Sequence, residues 1–395
     1  MGMIDTDIAV VGGGIAGLAA TARLAAVGAE VLCIDPAPAA EESDDLRTTA
    51  YLQPAIETLQ AAGAWDAMAA ESAPLWTMRL VDAGGPQPMV RESCDFTAAE
   101  LQDRPFGHNV PNRTAKQALR AAVGDRLLDG RTVASVLRRE REAILRLSDG
   151  TQIRARLVVA ADGRDSAVRQ GAGIAARRWD YVQRALVFAV RHEAPHRGVS
   201  TEIHRTGGPL TLVPMPDREG APCSAVVWMV PAAEAEGLKT LDNAALSAEL
   251  TARTLGLFGP LQILGPRAVW PIIGQLASRV IGERLALVAE AAHVIPPIGA
   301  QGLNTSLADV ETLARLVGEA RDAERDIGAR ALLSRYQMRR WPDMAARVAG
   351  VDVLNRFAMA KAQPIRDLRR LGLSAIHRIA PVRQLAMRLG MGASR

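Results

Sequence analysis

The fold is decided by residues 7–24, which read DIAVVGGGIAGLAATARL. The segment opens on a short apolar run that predicts a buried strand, and small apolar residues at helical spacing follow the glycines. In the spacing Gly12-x-Gly14-x-x-Gly17, the first glycine allows a tight turn, the second lets a pyrophosphate approach the backbone, and the third lets helix and strand pack closely. Asp35 ends the next apolar run, where its carboxylate can accept hydrogen bonds from a ribose. These features predict a strand–helix–strand unit that binds a dinucleotide, and they do not separate FAD from NAD.

The composition is that of a globular protein and excludes several classes of function. The chain has 395 residues, of which 49% are apolar and 23% are charged. The net charge of +4 and the aromatic content of 4% argue against nucleic-acid binding. The three cysteines are too widely spaced for a disulfide framework or a zinc site, and no uncharged stretch is long enough to span a bilayer. Because acidic residues stand where a signal peptide would be basic, we predict an untargeted protein. The wide spacing of the cysteines predicts a cytoplasmic protein that holds no metal.

The hydrophobic pattern changes twice along the chain, which predicts two interleaved domains and a helical end. Between about residues 180 and 272 it alternates with a period of two, as in an antiparallel sheet, whereas strands and helices alternate on both sides of this region. We therefore expect an α/β protein with a discontinuous nucleotide-binding domain at residues 1–75, 105–178 and 276–345. A sheet domain is expected at residues 76–104 and 179–275, and a basic helical segment at residues 346–395.

Finer features of the helices are also predicted. The pattern from Leu52 to Ala70 is helical. From Leu332 onward the chain is typical of helices separated by Pro342, Pro364 and Pro381.

Two further turns carry polar residues next to predicted buried strands. The first reads Ala161-Asp162-Gly163-Arg164-Asp165-Ser166, and the second runs from Ala289 to Asn304. In the second turn, the amides of Gly302–Asn304 open a predicted helix and can stabilise negative charge. The pair Pro296-Pro297 can form a rigid wall beside a planar ring. On spacing alone, a ligand loop and a structural crossover loop both remain open for this segment.

These three segments, in this order, resemble the class A flavoprotein monooxygenases, the group typified by p-hydroxybenzoate hydroxylase. Within that group the chain is similar to the ubiquinone-biosynthesis hydroxylases in further segments, namely Asp44-x-x-Arg47, Gly208-Pro209-Leu210, residues 293–304 and the run Pro364–Leu373. The resemblance extends over essentially the whole chain. It implies a Rossmann-like FAD-binding domain interleaved with an antiparallel-sheet substrate domain, and a helical C-terminus.

The resemblance also implies which residues bind FAD. They are Gly12, Gly14, Ile15, Ala16, Gly17, Asp35, Arg47, Asn112, Asp162, Glu290, Gly302, Leu303 and Asn304. One departure is Ala289-Glu290, which stands where the family has Gly-Asp and where that Asp binds the ribitol chain. Glutamate keeps the charge but is longer, and alanine lacks the backbone freedom of glycine, so we expect the departure to change FAD affinity rather than reaction type. His293 and Pro297 are candidates for the loop beside flavin and substrate, and His293 is interpreted as ordering this loop rather than transferring protons.

The implied activity is hydroxylation of the aromatic ring of a polyprenylated phenol in ubiquinone biosynthesis, through a flavin C4a-hydroperoxide formed with O₂. The flavin carries the chemistry, so no catalytic side chain is assigned. NAD(P)H is the implied electron donor and would bind transiently, because a second Gly-x-Gly-x-x-Gly motif is absent. Two alternatives remain open: a class A hydroxylase of another phenol, and a non-catalytic assembly component that retains the fold, which the Ala289-Glu290 departure favours.

The C-terminal segment is strongly basic. From Arg356 to Arg395 it carries nine basic residues against one acid, Asp367, with leucines and isoleucines between them. Such a segment can lie on the anionic inner membrane or contact other ubiquinone-biosynthesis proteins, as suits a polyprenyl substrate. The alternative is a solvated helical face packed on the body of the protein.

Overall fold

The helices and strands are described from a computed structural model, which covers residues 3–38, 47–85, 87, 89–360 and 362–391. The helices of this part of the chain are α1 (Ile15–Ala26), α2 (Gln53–Ala61), α3 (Trp65–Ala69), α4 (Asn112–Val123), α5 (Ala167–Gly171), α6 (Ala232–Thr240), α7 (Asn243–Arg253), α8 (Gln301–Asp322), α9 (Arg330–Ala358), α10 (Gln363–Arg378) and α11 (Ala380–Met391). The strands are β1 (Met3–Val11), β2 (Val31–Ile34), β3 (Thr48–Leu52), β4 (Ala73–Leu75), β5 (Thr77–Asp82), β6 (Glu92–Thr97), β7 (Gly107–Pro111), β8 (Leu127–Leu128), β9 (Val133–Arg138), β10 (Ala143–Leu147), β11 (Gln152–Ala160), β12 (Ala176–Arg191), β13 (Val199–Arg205), β14 (Gly208–Arg218), β15 (Ala221–Pro231), β16 (Gln262–Ala277), β17 (Ile281–Gly282), β18 (Leu285–Leu287) and β19 (His293–Val294).

A largely parallel sheet forms the nucleotide-binding part. Its strands follow the order β17-β18-β11-β1-β2-β8, and β1 is parallel to both β2 and β11. The apolar side chains Ile8 and Val10 of β1 are fully buried, as are Leu18 and Leu24 of α1. Burial of these side chains drives the strand and the helix together. The predicted Rossmann-like α/β unit is confirmed.

An antiparallel sheet of eight strands, counted within the described residues, forms the second part. Its order is β19-β16-β12-β15-β14-β13-β5-β6, and β13 and β5 are the exception because they run parallel. Alternate side chains of a strand point to opposite faces. One face carries fully buried side chains, including Leu210 and Trp228, that cluster with Leu246 and Leu250 of α7. The other face, which α6 and α7 leave uncovered, is turned toward the nucleotide-binding part.

The C-terminal helices pack on the far edge of this sheet. Leu373 of α10 and Met387 of α11 contact an apolar cluster that includes Cys94 and Phe96 of β6. Between the two large sheets lies a small antiparallel sheet of the order β3-β7-β4.

The helical pattern over residues 52–70 corresponds to α2 followed by α3, because Gly63 adopts a φ of +72° between them and ends the first helix. One predicted helix boundary is wrong. Pro342 lies inside α9 and does not separate two helices. Proline in a helix removes one backbone hydrogen bond, but this residue is on the exposed side, and the buried contacts of Tyr336 and Met344 hold α9 on both sides of it. Pro364 and Pro381 do lie in the first turns of α10 and α11, as predicted.

Candidate cofactor and substrate site

The glycine turn after β1 is a close contact between three backbone segments. Gly12 adopts a φ of +107°, and a Cβ there would lie 2.4 Å from the carbonyl oxygen of Ala161. A Cβ at Gly17 would lie 1.8 Å from the carbonyl oxygen of Gly12. Both positions therefore require glycine, which brings the start of α1 against the turn that follows β11.

Gly14 differs from the other two glycines, because a Cβ there would meet no atom within 4 Å. Gly14 is the N-cap residue of α1 and has no side chain to cap the helix, so the first-turn amides, including those of Ile15 and Ala16, lie behind an open space. Unpaired amides and the helix dipole favour an anion at such a position. The space and the amide donors fit the pyrophosphate of a dinucleotide.

Asp35 supports this turn directly. Its carboxylate accepts a hydrogen bond from the amide of Gly13 and another, of 2.9 Å, from the amide of Ala37. The residue is only 8% exposed. The carboxylate therefore orders the glycine turn, and its contact with a ribose remains a prediction.

Asp162 closes its own turn in a similar way. Its carboxylate accepts hydrogen bonds from the hydroxyl of Ser166 and, at 3.1 Å, from the amide of Val168. The side chain thus shapes the start of α5.

The turns at residues 161–166 and 289–291 are joined by buried donors. Arg169 donates through Nη1 to the carbonyl oxygens of Arg164, at 3.1 Å, and Ala291, at 3.0 Å. Gln275 of β16 donates to the carbonyls of Arg164, at 3.0 Å, and Glu290, at 3.3 Å. These bonds bring together two segments that are more than a hundred residues apart in the chain.

The departure at Ala289-Glu290 has two structural consequences. Ala289 adopts a φ of +56°, in the left-handed region that favours glycine. The carboxylate of Glu290 forms a forked ion pair with the guanidinium of Arg164, with distances of 3.1 and 3.2 Å. Glu290 therefore links the two turns through side chains as well.

The start of α8 is tied to the end of β3 by Asn304. Its side-chain oxygen accepts from the amide of Leu52, and its nitrogen donates to the carbonyl of Ala50, both at 2.8 Å. Gly302 and Leu303 lie in the same first turn, whose amides point to the preceding loop. The predicted helix start is confirmed, although the Asn304 side chain is engaged within the protein.

His293 belongs to a buried charged network that sequence reasoning missed. Its Nε2 lies 2.8 Å from the carboxylate of Asp309, which also accepts from Nε of Arg340 at 2.8 Å and from the amide of Ala289 at 3.2 Å. His293 is 1% exposed and Asp309 is fully buried. Burial is the largest influence on Arg340 and acts to lower its pKa, but the carboxylates of Asp309 and Asp343 outweigh it and leave that pKa raised.

A signal for this network was present in the sequence. Asp309 lies at helical spacing with Ser306, Leu313 and Leu316, all on the buried side of α8. An acid on the apolar side of a helix requires a buried partner.

Arg47 bridges the small sheet and the antiparallel sheet. Its guanidinium lies over the ring of Trp270 of β16, 4.7 Å from the centroid, and its carbonyl accepts from the amide of Asn112 at 2.9 Å. The side chain of Asn112 in turn accepts from Thr49 at 2.7 Å. Asp44, the other residue of the Asp44-x-x-Arg47 segment, lies outside the described residues.

The loop after β19 faces the uncovered side of the antiparallel sheet. Ile298 packs against a cluster that includes Met229 and Ile272, while Pro297 is exposed. The candidate site is therefore assigned to the region of the glycine-bearing turns, the loop after β19 and this sheet face. Among the described residues, no group of three or more metal-ligating side chains is present.

Comparisons with known proteins show the family to which this chain belongs. The family model described as the FAD binding domain matches residues 5–350. The ubiquinone hydroxylase UbiL of Rhodospirillum rubrum is 36% identical over 394 residues, which are 98% of this chain and 89% of the relative. The 3-demethoxyubiquinol 3-hydroxylase of Escherichia coli is 31% identical over 397 residues, 98% of both chains.

Solved structures show the same fold at lower identity. The p-nitrophenol 4-monooxygenase of Pseudomonas putida is 17% identical and matches with a TM-score of 0.79. The match covers 100% of this chain and 100% of that one. The protein HpxO of Klebsiella pneumoniae, solved with FAD and uric acid, is 18% identical with a TM-score of 0.77, over 98% of this chain and 96% of that one.

Replacing Ala289 by glycine is expected to stabilise the protein. Glycine removes the left-handed strain, which stabilises the folded state by about 1–2 kcal/mol. Glycine also gives the unfolded chain more conformational entropy, which destabilises the protein by roughly 0.5–1 kcal/mol. The free energy of unfolding should therefore rise by about 0.5–1 kcal/mol. Denaturant unfolding of the FAD-free protein measures this change. Ala291→Gly is the matched control, because Ala291 is fully buried and lies outside the left-handed region. It should destabilise, and equal losses in both variants would contradict the strain at Ala289.

Asp309→Asn is expected to destabilise the protein by about 3–5 kcal/mol, because it leaves the Arg340 guanidinium buried without its charged partner. Glu311→Gln, two residues along α8, removes a half-exposed ion pair with Arg23 of 2.8 Å and should cost at most about 1 kcal/mol. Thermal and denaturant unfolding of both variants measure the difference. Similar losses would show that the buried network does not hold α8 in place.

Proposed function

We propose, from the premise that this chain belongs to the FAD-binding-domain family of flavin-dependent monooxygenases, that it hydroxylates the aromatic ring of a polyprenylated phenol in ubiquinone biosynthesis. The chain is an FAD-dependent enzyme of that family. The substrate is a proposal that rests on one observation above all: similarity over 98% of the chain to a ubiquinone hydroxylase, at 36% identity.

The cofactor is proposed to lie along the three turns. The pyrophosphate would be held by the amides at Gly14, Ile15 and Ala16, behind the open space at Gly14. Asp35 would contact the adenosine ribose from the end of β2. The remaining contacts assigned to FAD are Gly12, Gly17, Arg47, Asn112, Asp162, Glu290, Gly302, Leu303 and Asn304.

The cofactor and the protein side chains are proposed to have different roles in the reaction. Bound FAD, with NAD(P)H as electron donor and O₂ as co-substrate, supplies the oxygen-inserting chemistry. The protein side chains would orient the ring and exclude water. The unpaired amides at the start of α8 would stabilise negative charge on the flavin ring, and His293, fixed by Asp309, would hold the adjoining loop.

The function predicts that the FAD-loaded protein consumes NAD(P)H when a prenylated phenol is added and releases the phenol with one added oxygen atom, as identified by mass spectrometry. Gly14→Glu should abolish FAD binding and activity, because it places a carboxylate where the pyrophosphate is proposed to lie. Gly171→Glu is the matched control: its Cβ position is also open, it lies at the end of α5, and its FAD content should be unchanged.

Three outcomes would contradict the proposal. Turnover of only unprenylated phenols would indicate a hydroxylase of other substrates. Folded protein that binds FAD but never oxidises NAD(P)H or a phenol would favour the non-catalytic assembly component. An unchanged quinone pool in a deletion strain without a paralogue would remove the biosynthetic role.

We also propose that the C-terminal helices contact an anionic membrane surface. They carry a C-terminal apolar surface of exposed side chains: Leu368, Leu371, Ile379, Leu385 and Leu389, which are 52–62% exposed. Arg378 and Arg388 are exposed among them. Apolar side chains beside cations suit the interface of an anionic bilayer. No helix of the described residues is both long and apolar enough to cross a membrane.

Co-flotation with vesicles tests this contact. The protein should bind phosphatidylglycerol vesicles and not phosphatidylcholine vesicles, and the Leu368→Glu/Leu371→Glu double variant should bind about tenfold or more weakly, because it removes buried apolar area and adds like charge. Met338→Glu is the control, since Met338 is 68% exposed on α9 and lies outside this surface. Equal binding of both variants, or no binding of the unmodified protein, would reject the contact.

A further inference from the structure

A carboxylate and a histidine lie side by side on the uncovered face of the antiparallel sheet. Glu202 and His204 are two residues apart on β13, so their side chains share one face. Nε2 of His204 lies 2.8 Å from Oε1 of Glu202, and the two side chains are 14% and 10% exposed. Neither residue has a role in the cofactor turns described above.

The register of the sheet places this pair on the face against which the loop after β19 packs. Glu202 is paired with Thr211 of β14, and Thr211 is paired with Val227 of β15. Val227 and Ile298 of the loop after β19 pack against the same apolar cluster. Two strand spacings separate Glu202 from Val227, a distance of about 10 Å. The pair and the loop after Pro297 therefore adjoin the same space.

This space has the character of a ligand cleft. On the covered face, the neighbouring side chains Leu210 and Val226 are fully buried. On the uncovered face, Thr211, Val227 and Val187 are only half-buried although they lie in central strands. A largely apolar floor with a few polar groups is typical of sites for small organic molecules.

The C-terminal helices enclose the cleft. Leu373 of α10 packs against the same apolar cluster as Leu80, the residue of β5 that is paired with Glu202. Nε2 of Gln301, the first residue of α8, donates to the carbonyl oxygen of Gly390 in α11 at 2.9 Å. The helices thus extend from the β5–β6 edge of the sheet to the start of α8, and a hydrogen bond beneath them is shielded from water.

The pair retains acceptor atoms that need a donor. Within the described part of the chain, Oε2 of Glu202 makes no hydrogen bond, and Nδ1 of His204 is enclosed without a partner. A histidine that donates from Nε2 leaves Nδ1 as an acceptor. The ring of His204 thus lies beside Oε1 of the carboxylate at 2.8 Å, and Oε2 stays available to a ligand that donates a hydrogen bond.

We propose that Glu202 accepts a hydrogen bond from a free ring hydroxyl of the phenolic substrate, and that His204 is the positioning residue for that carboxylate. The inference rests on the proposed function and specifies what the site recognises: an aromatic ring with an unmethylated hydroxyl. A carboxylate that accepts this hydrogen bond raises the electron density of the ring, which favours oxygen insertion. A ring whose hydroxyl is converted to a methyl ether has no proton to donate, and it leaves the carboxylate unpaired.

Binding of a matched pair of probes tests the inference without turnover. FAD-loaded protein is titrated with ortho-prenylphenol and with its O-methyl ether, and the Kd of each is taken from the change in flavin absorbance. The unmodified protein should favour the phenol by about tenfold or more, the range expected of a hydrogen bond to a charged group. Glu202→Met should reduce this ratio to less than about threefold, and Glu202→Gln and His204→Gln should give intermediate ratios.

His192→Gln is the control, because His192 is also buried in the sheet domain but bonds to Ser224 at 2.9 Å and lies away from the cleft. It should keep the ratio of the unmodified protein. A retained ratio in Glu202→Met overturns this inference alone, and if that variant loses FAD, Glu202→Gln decides in its place. If the unmodified, FAD-loaded protein binds neither probe, the proposed substrate class fails and this inference fails with it.

Discussion

The buried carboxylate of Asp309 is the interaction on which the arrangement of the site depends. It lies on α8 with no exposed surface, and it receives hydrogen bonds from Ala289, His293 and Arg340. Burying a carboxylate and a guanidinium costs several kcal/mol per ion unless their remaining polar atoms are bonded. The folded arrangement in which Asp309 keeps all of these hydrogen bonds is therefore strongly favoured in free energy. Because the partners lie on the cofactor turn, on β19 and on α9, satisfying them fixes the start of α8 against the turn that is proposed to meet the flavin.

The antiparallel sheet contributes a surface that is covered on one face only. Helices α6 and α7 bury one set of alternating side chains, and the opposite set meets the loop that contains Ile298. A sheet whose two faces were both filled by helices would leave no room for a ring, whereas an entirely open face would not exclude water. The C-terminal helices cover part of this face, at its β5–β6 edge. They also accept a hydrogen bond from Gln301 at the start of α8. The same helices are proposed to present their outer side to lipid, which would place a hydrophobic substrate next to the cleft.

Tertiary contacts also pair several of the basic side chains in the C-terminal segment with other groups of the protein. Of the nine basic residues from Arg356 onward, Arg366 is bonded to Thr206, Arg383 pairs with Glu100 at 2.7 Å, and Arg356 pairs with Asp352 at 2.9 Å. Lys361 and Arg395 lie outside the described residues. Leu373 and Met387 of this segment pack on the protein, whereas other leucines remain exposed, and the membrane contact stays a proposal. The number of basic residues in the sequence does not show which of them are paired. The tertiary structure shows which guanidinium groups are paired and which are exposed.

The local sequence determined those features that depend on short-range chemistry. The glycine turn, the strand–helix–strand unit, the start of α8 and the two-residue period of the sheet all follow from residues that are neighbours in the chain, since steric freedom and alternation act over a few positions. The tertiary structure alone decided the rest. It set the parallel pairing of β13 with β5, the passage of α9 through Pro342, the ion pair between Arg164 and Glu290, and the place of Glu202 in the sheet register beside β14. Each of these joins segments that are distant in the chain or opposes a local preference. Such contacts form because buried area and paired charges outweigh the local cost, and a pattern of neighbouring residues does not record those energies.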